Sequence, residues 1–215
     1  MEKLSPFHRL QKLRMENDEA KYRMEAMRPR FDTIANRHTN GTAPQAISAF
    51  QLFQTPIETA QSLVALLYLK GGEKILEPSA GLGRIIDALL PHNPSHITAI
   101  EISPACAGEL YRKNYPNFTL KVTDFLSVQP PTPEHLFDAV AMNPPFKNNA
   151  DIKHILHALR FLKPNGTLSA ICLDTHHRKT AFEHMATTWE PLPRGTFKEE
   201  GTNVPTVLLS IKKAA

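Results

Sequence analysis

The sequence predicts a doubly wound α/β domain, and three observations carry that prediction. From residue 57 onward, short β-type apolar runs alternate with helical runs of 10–13 residues, the pattern of a parallel sheet with helical crossovers. A glycine-bearing turn, Gly81-Leu82-Gly83, directly follows the first β-type run. The composition, 41% hydrophobic and 21% charged over 215 residues, matches an ordinary globular domain with a small appendage. In such a sheet, ligands bind beyond the carboxyl ends of the strands.

The elements follow in order. Residues 7–27 place Phe7, Leu10, Leu13, Tyr22, Met24 and Met27 among charges, an amphipathic helix that Pro29 stops. It reads either as a helix packed on the domain or a partner, or as a nucleic-acid-binding arm. Composition changes near residue 40, dividing a basic helical extension (1–40) from the main domain (41–215). Residues 57–69 form a helix ended by Gly71-Gly72, and 74–79 the first strand. Residues 82–91 are a helix closed by Pro91, and 96–102 a strand. Ser103 caps a helix over 103–115 with Pro104 in its first turn, and 118–125 and 138–143 are strands. A helix over 151–162, a Lys-Pro-Asn-Gly turn, a strand over 167–173, a helix over 178–188 and a strand over 206–211 complete the chain. Trp189 is read as core, and Cys172, in the run LSAICL, as buried.

Several function classes are excluded early. The two cysteines, Cys106 and Cys172, have no CxxC or Cys/His ligand spacing, so no zinc ribbon or redox pair is expected. No apolar run approaches the roughly 20 residues that cross a bilayer, and the opening segment is charged throughout, so a soluble, cytoplasmic protein is expected. The net charge is +4, and the stretch through Arg37 supplies much of it, with nine Lys/Arg against six acids. That balance permits a polyanionic partner without requiring one.

Four segments fall at strand carboxyl ends and carry the chemistry. In Glu77-Pro78-Ser79-Ala80-Gly81-Leu82-Gly83-Arg84, two glycines let backbone approach a ligand, and a helix start follows. A dinucleotide fingerprint would want a third glycine where Ile86 stands, which counts against nicotinamide or flavin binding. Glu101, ending the second strand, can accept both hydroxyls of a ribose. Asp124-Phe125, ending the third, offers an acceptor for an exocyclic amine beside an apolar wall. Asn143-Pro144-Pro145-Phe146 follows the strand DAVAM; its prolines fix the backbone and leave rigid acceptors. The Asn143 amide oxygen and the Pro144 carbonyl can take both hydrogens of a planar amine while Phe146 stacks on its plane. Two such acceptors draw a delocalised nitrogen toward sp³ character and aim it at an electrophilic carbon, with no metal or covalent intermediate.

Taken together, these segments resemble the class I S-adenosylmethionine-dependent methyltransferases that modify amino groups, in particular the N6-adenine DNA methyltransferases. Their Asn/Asp-Pro-Pro-Tyr/Phe motif is NPPF here, their glycine loop is EPSAGLG, and Phe53-Gln54-Thr55-Pro56 matches the aromatic-x-Thr-Pro stretch that closes over the cofactor. The motif order is that of the gamma group, and the resemblance spans roughly residues 50–211. It implies a Rossmann-like seven-stranded sheet, mostly parallel with the last strand antiparallel. It implies S-adenosyl-L-methionine as cofactor, with Phe53, Thr55, Pro56, Glu77, Pro78, Ser79, Ala80, Gly81 and Gly83 near its methionine end. Glu101 and Ile102 fall on ribose and adenine, Asp124 and Phe125 on adenine, and Asn143, Pro144, Pro145 and Phe146 on the target. A base in duplex DNA would have to flip out of its stack to reach them.

The sequence departs from the gamma enzymes in one respect: the residues after Phe146 are consumed by the catalytic fold, with no room for a target-recognition domain. Base reading then falls to the N-terminal extension and the 147–150, 175–179 and 194–204 loops, with Lys147, His176, His177, Arg178 and Lys179 as candidate substrate contacts, or to a separate specificity subunit. The alternative for THHRK is a solvated loop. Release-factor glutamine methyltransferases and some RNA base methyltransferases share the NPP chemistry, and a catalytically silent, cofactor-binding subunit is the reading from another class. His154 and His157, spaced i and i+3, are assigned to a helix surface rather than to a metal.

Overall fold

The computed structural model describes residues 54–198 and 202–215. The helix expected over 7–27, the boundary near residue 40 and Phe53 lie outside the described residues.

The chain enters through α1 (Ile57–Ala65), which buries Thr59, Ala60, Leu63 and Val64 on one face. It ends short of the expected residue 69, because Tyr68 turns into the left-handed region at φ 51° and the chain reverses through Gly71 and Gly72. Strand β1 (Lys74–Glu77) leads into α2 (Arg84–Leu89), closed by a 3-10 turn containing Pro91. Then come β2 (His96–Glu101), α3 (Pro104–Arg112) and β3 (Phe118–Val122). The Ser103 side chain accepts from the Cys106 amide at the start of α3, as its position predicts. Between β3 and β4 (Phe137–Met142) the crossover carries only 3-10 turns, since Pro130, Pro131 and Pro133 leave no room for an α-helix. The remaining elements are α4 (Ala150–Ala158), β5 (Leu162–Leu173), α5 (His176–Phe182), β6 (Ala186–Pro191) and β7 (Thr206–Lys212).

The seven strands form one sheet in the order β3-β2-β1-β4-β5-β7-β6. Pairings among β3, β2, β1, β4 and β5 are parallel, and β7 runs antiparallel to both β5 and β6. This is the doubly wound, mostly parallel sheet with an antiparallel last strand that the sequence implies. The winding reverses between β1 and β4, so the carboxyl ends of these neighbours, Glu77 and Asn143, flank the switch point where such sheets bind ligands.

Both faces of the central strands are buried, and side chains alternate between two apolar layers. Ile75, Ile97, Ala99, Ala139, Ala141 and Ile171 pack with α1, α2 and α3 on one side. Leu76, Ile100, Val140, Met142, Leu168 and Cys172 pack on the other side with Ile155 of α4 and Phe182 of α5. Both cysteines are buried free thiols. Among the described residues, no helix is long and apolar enough to cross a membrane.

Two elements differ in kind from expectation: the Lys-Pro-Asn-Gly turn lies within β5, and the last expected helix gives way to a strand. The helix expected over 178–188 stops at Phe182, and Ala186–Pro191 is the edge strand β6. The β-formers Thr187, Thr188 and Trp189 pair against β7, with Trp189 facing Leu209. Trp189 is accordingly half-buried against the core rather than fully within it.

Candidate active site

The β1 exit is built around two carboxylates. Glu101 is 6% exposed and accepts from the Gly81 amide through Oε2 and from the Ser103 amide through Oε1, both at 2.7 Å. The glycine turn is thus tied directly to the end of β2, a tie reinforced by the Ala80 amide donating to the Ile100 carbonyl at 3.1 Å. Each carboxylate oxygen keeps a second lone pair, so Glu101 retains capacity for hydroxyl donors. Beside it, Glu77 is 1% exposed and its Oε2 has no hydrogen-bond partner. Burial first, then the neighbouring Glu101 charge, pushes the Glu77 carboxyl well above the usual carboxylate range. An under-partnered buried acid of this kind suits a cation.

The two glycines of the turn do different work. Gly83 starts α2 at φ 82°, and a β-carbon there would lie 2.6 Å from the Tyr115 hydroxyl and 2.7 Å from Leu110 Cδ2. Its lack of a side chain therefore serves packing onto α3 and Tyr115. The Tyr115 hydroxyl donates to Asp87 Oδ1 at 2.6 Å, and Lys113 pairs with Asp87 at 2.7 Å, bracing the same turn. Nothing in the motif itself signals this brace. Pro78 and Ala80 are buried, Ser79 and Gly81 partly so.

At the end of β2, Ile102 is 48% exposed, an apolar surface next to Glu101. Asp124 is exposed and uses Oδ1 to accept from the Leu126 amide at 3.0 Å, leaving its other oxygen available. Phe125 departs from expectation. It is 2% exposed, its ring centroid 4.8 Å from His157 and 5.2 Å from Phe161, so it is a core residue rather than an open wall. His154 and His157 are likewise not a free helix surface. His154 Nδ1 donates to the Ala150 carbonyl at 2.7 Å and His157 Nε2 to the Val128 carbonyl at 2.9 Å. Burial holds the His154 imidazole below its ordinary pKa.

Across the switch point, the β4 exit is neutral. The Asn143 Nδ2 donates to Thr55 Oγ1 at 3.0 Å, joining segments 88 positions apart. In this orientation the Thr55 hydroxyl oxygen accepts and the carboxamide oxygen is left over. Asn143 Oδ1 is buried and has no partner. The arrangement is a carboxamide fixed by one end with its acceptor end unspent. Thr55 is 5% exposed, Pro56 partly buried, Pro144 buried and Pro145 exposed. Phe146 is 9% exposed and packs in the core layer of α1 to α3, so its ring is not open to a flat target as the motif suggested.

The rim residues divide. Lys147, His176, His177 and Lys179 are exposed beyond β4 and β5, the last three on the first turns of α5, which begins at His176 where a loop was expected. Arg178 is not among them. It is 8% exposed, and its guanidinium binds Asp151 through Nε and Nη2 at 3.1 Å each. The sequence run of four basic or imidazole residues hides this, since α5 turns one of them inward. Asp151, the buried partner, was not singled out in the sequence; an acid in a helix's first turn reads as an ordinary dipole partner.

The comparisons with known proteins agree with this geometry. Residues 58–193, more than half of the chain, match the methyltransferase small domain family. No curated protein matches the chain in sequence. A modification subunit assigned to a type I restriction enzyme from Vibrio vulnificus YJ016 superposes with a TM-score of 0.64 at 14% identity, covering 89% of this chain and 50% of its own length. A protein assigned as an RNA methyltransferase, PH1948 of Pyrococcus horikoshii, gives 0.61 at 19% identity, covering 78% and 88% of the two chains. The N-methyltransferase NodS from Bradyrhizobium japonicum WM9, in complex with S-adenosyl-L-homocysteine, gives 0.58 at 18% identity, covering 77% and 92%. The buried, unpaired Glu77 oxygen and the spare acceptors of Glu101 and Asp124 fit a cofactor with a cationic end, a ribose and an exocyclic amine. The chain belongs to the methyltransferase small domain family, and it is an S-adenosylmethionine-dependent methyltransferase with S-adenosylmethionine as its expected cofactor.

Proposed function

We propose that the chain is an amino-methyltransferase of the NPPF group and that its target is the N6 nitrogen of adenine in DNA. The observation that carries this reading is Asn143: its Nδ2 is spent on Thr55 while its Oδ1 stays buried and unpartnered. An uncharged acceptor held in this way suits an amine hydrogen, because a buried carboxamide oxygen without a partner costs about 1–3 kcal/mol until a donor arrives.

The cofactor supplies an electrophilic methyl group on a sulfonium. Within this reading Glu77 holds the cationic methionine end, Thr55 and Pro56 close over it, and Glu101 accepts from ribose. Ile102 and Asp124 meet adenine. Asn143 Oδ1 and the Pro144 carbonyl would orient the target amine with its lone pair toward the methyl group that the cofactor would supply. Asn143, Pro144, Pro145 and Phe146 contain no ionisable side chain, so the proton released by the alkylated nitrogen passes to water. A duplex target flips out of its stack to arrive, and the exposed Lys147, His176, His177 and Lys179 contact phosphates on the way. The likeness to a modification subunit of a restriction enzyme supports a reading in which a second polypeptide reads sequence.

The test is incubation of the full chain with methyl-labelled S-adenosylmethionine and, separately, duplex DNA, RNA and protein acceptors, followed by digestion and identification of the labelled residue. Label on adenine N6 of DNA is the expected result. Label only on RNA or on a glutamine amide overturns the DNA assignment, and cofactor binding without transfer to any acceptor overturns the catalytic one.

A further inference from the structure

We propose that Arg178 is a positioning residue that, with Asp151, sets the angle at which the Asn143 loop presents its acceptor. The inference rests on the amino-methyltransferase reading above and adds to it a buried ion pair outside the motif.

The segment between NPPF and α4 has an uncommon backbone. Asn148 and Asn149 are consecutive residues in the left-handed region, at φ 56° and 57°. Asparagine tolerates that region better than most residues, yet two in succession persist only where the surroundings hold them. The Ala150 amide donates to the Lys147 carbonyl across them, and one guanidinium ties the segment on both sides. Arg178 Nη2 reaches back to the Phe146 carbonyl at 3.4 Å, on the near side of the turn. Its Nε and the same Nη2 bind Asp151 at 3.1 Å on the far side. Asp151 is 0% exposed, and its Oδ2 also accepts from the Leu173 amide at the end of β5, at 3.4 Å. The turn is therefore closed on both sides against β5 and α5.

The link from this clasp to Asn143 is covalent and stiff. Between Asn143 and Phe146 stand only Pro144 and Pro145, whose ring-locked φ angles remove the main freedom that would absorb a shift at Phe146. Moving the Phe146 carbonyl thus turns the Asn143 carboxamide, and Thr55 restrains it from the opposite side. Stability alone would not call for an ion pair here, since a buried pair is often matched or exceeded by apolar side chains of similar volume. Lysine cannot replace the clasp, because one ammonium does not present the planar fork that spans both carboxylate oxygens and a carbonyl.

Two variants of the full chain separate positioning from simple support. R178K keeps the charge opposite Asp151 and drops the Phe146 tie; D151L/R178M removes the charges and restores apolar packing. Four quantities are measured: thermal melting, S-adenosyl-L-homocysteine affinity by calorimetry, hydrogen exchange of the amides from Lys147 to Ile152, and kcat and KM on the acceptor found above. In both variants, exchange at Lys147–Ile152 should quicken at least about tenfold and kcat should fall about ten- to a hundredfold, with KM and cofactor affinity within about twofold of wild type. D151L/R178M should melt at or above R178K. Wild-type exchange and wild-type kcat in D151L/R178M would overturn the proposal. If that variant does not fold, R178K decides by the same two readouts. If the wild-type chain methylates no acceptor, the functional reading has failed while the clasp is still judged by exchange: unchanged protection in R178K overturns it, and lost protection upholds it.

Discussion

The two sides of the switch point handle buried polar atoms in opposite ways. At the β1 exit, two carboxylates lie together; Glu101 satisfies two backbone amides, and Glu77 keeps a buried oxygen with no donor. At the β4 exit, the free acceptor belongs to an uncharged carboxamide, and the nearby buried charge of Arg178 is cancelled by Asp151. An under-partnered acid beside a second carboxylate suits a cationic ligand, whose charge favours the ionised form, whereas a neutral acceptor suits an amine that must stay uncharged to act as a nucleophile. On the proposed reading, the contrast assigns the charged donor to one strand exit and the uncharged acceptor to the other.

Breaking the neutral side should have the largest effect. Asn143→Ala removes the unspent acceptor, and turnover should fall about 10²–10³-fold, comparable with losing one preorganised hydrogen-bonding group, while cofactor affinity stays within about twofold. Single-turnover transfer and calorimetry together check this; equal turnover would remove Asn143 from the chemistry.

Breaking the charged side should separate binding from stability. Glu77→Gln should weaken cofactor binding about tenfold, in line with the loss of one charge-assisted contact. It should also stabilise the cofactor-free protein at neutral and alkaline pH. The sign follows from the raised carboxyl: its favourable contribution to folding is complete below the ordinary value of 4.5 and is lost as pH rises through the higher folded value. Melting curves of the two proteins should therefore converge near pH 4.5 and separate above it, and wild-type cofactor affinity should rise with pH across the same window where the variant's does not. Parallel melting curves at all pH values would mean that Glu77 is ionised as in water.

Thr55→Val sharpens the comparison with the smallest change. It preserves shape and leaves Asn143 Nδ2 without its acceptor, a loss of about 1 kcal/mol, so turnover should drop about fivefold with little change in melting temperature. An unchanged rate would show that the Pro144–Pro145 backbone alone orients the carboxamide.

Much of the fold could be read from local signals. Pro91 and Ser103 mark element ends whose physics is confined to a few residues, and the alternation of β-type and helical runs identified a doubly wound sheet. The edge strand β6 was missed because the run from Lys179 to Ala186 is made of adequate helix formers, and the β-formers Thr187, Thr188 and Trp189 pass for its continuation until pairing with β7 sets them as a strand. Phe125 and Phe146 belong to motifs associated with ligands, yet both rings are buried, because an aromatic side chain beside a forming core gains more from packing than from exposure.

What the chain's order of residues determined by itself is the chemistry available at each strand end: two acids and a glycine turn after the early strands, and a proline-locked carboxamide after the fourth. Tertiary structure alone decided which of those atoms are spent. Glu101 closes onto Gly81 and Ser103, Asn143 is turned by Thr55, and Arg178 is drawn inward by Asp151. The physical reason is that hydrogen-bond capacity belongs to the residue, but its satisfaction depends on partners brought from distant positions, and a sequence read locally contains the donors and acceptors without their pairing.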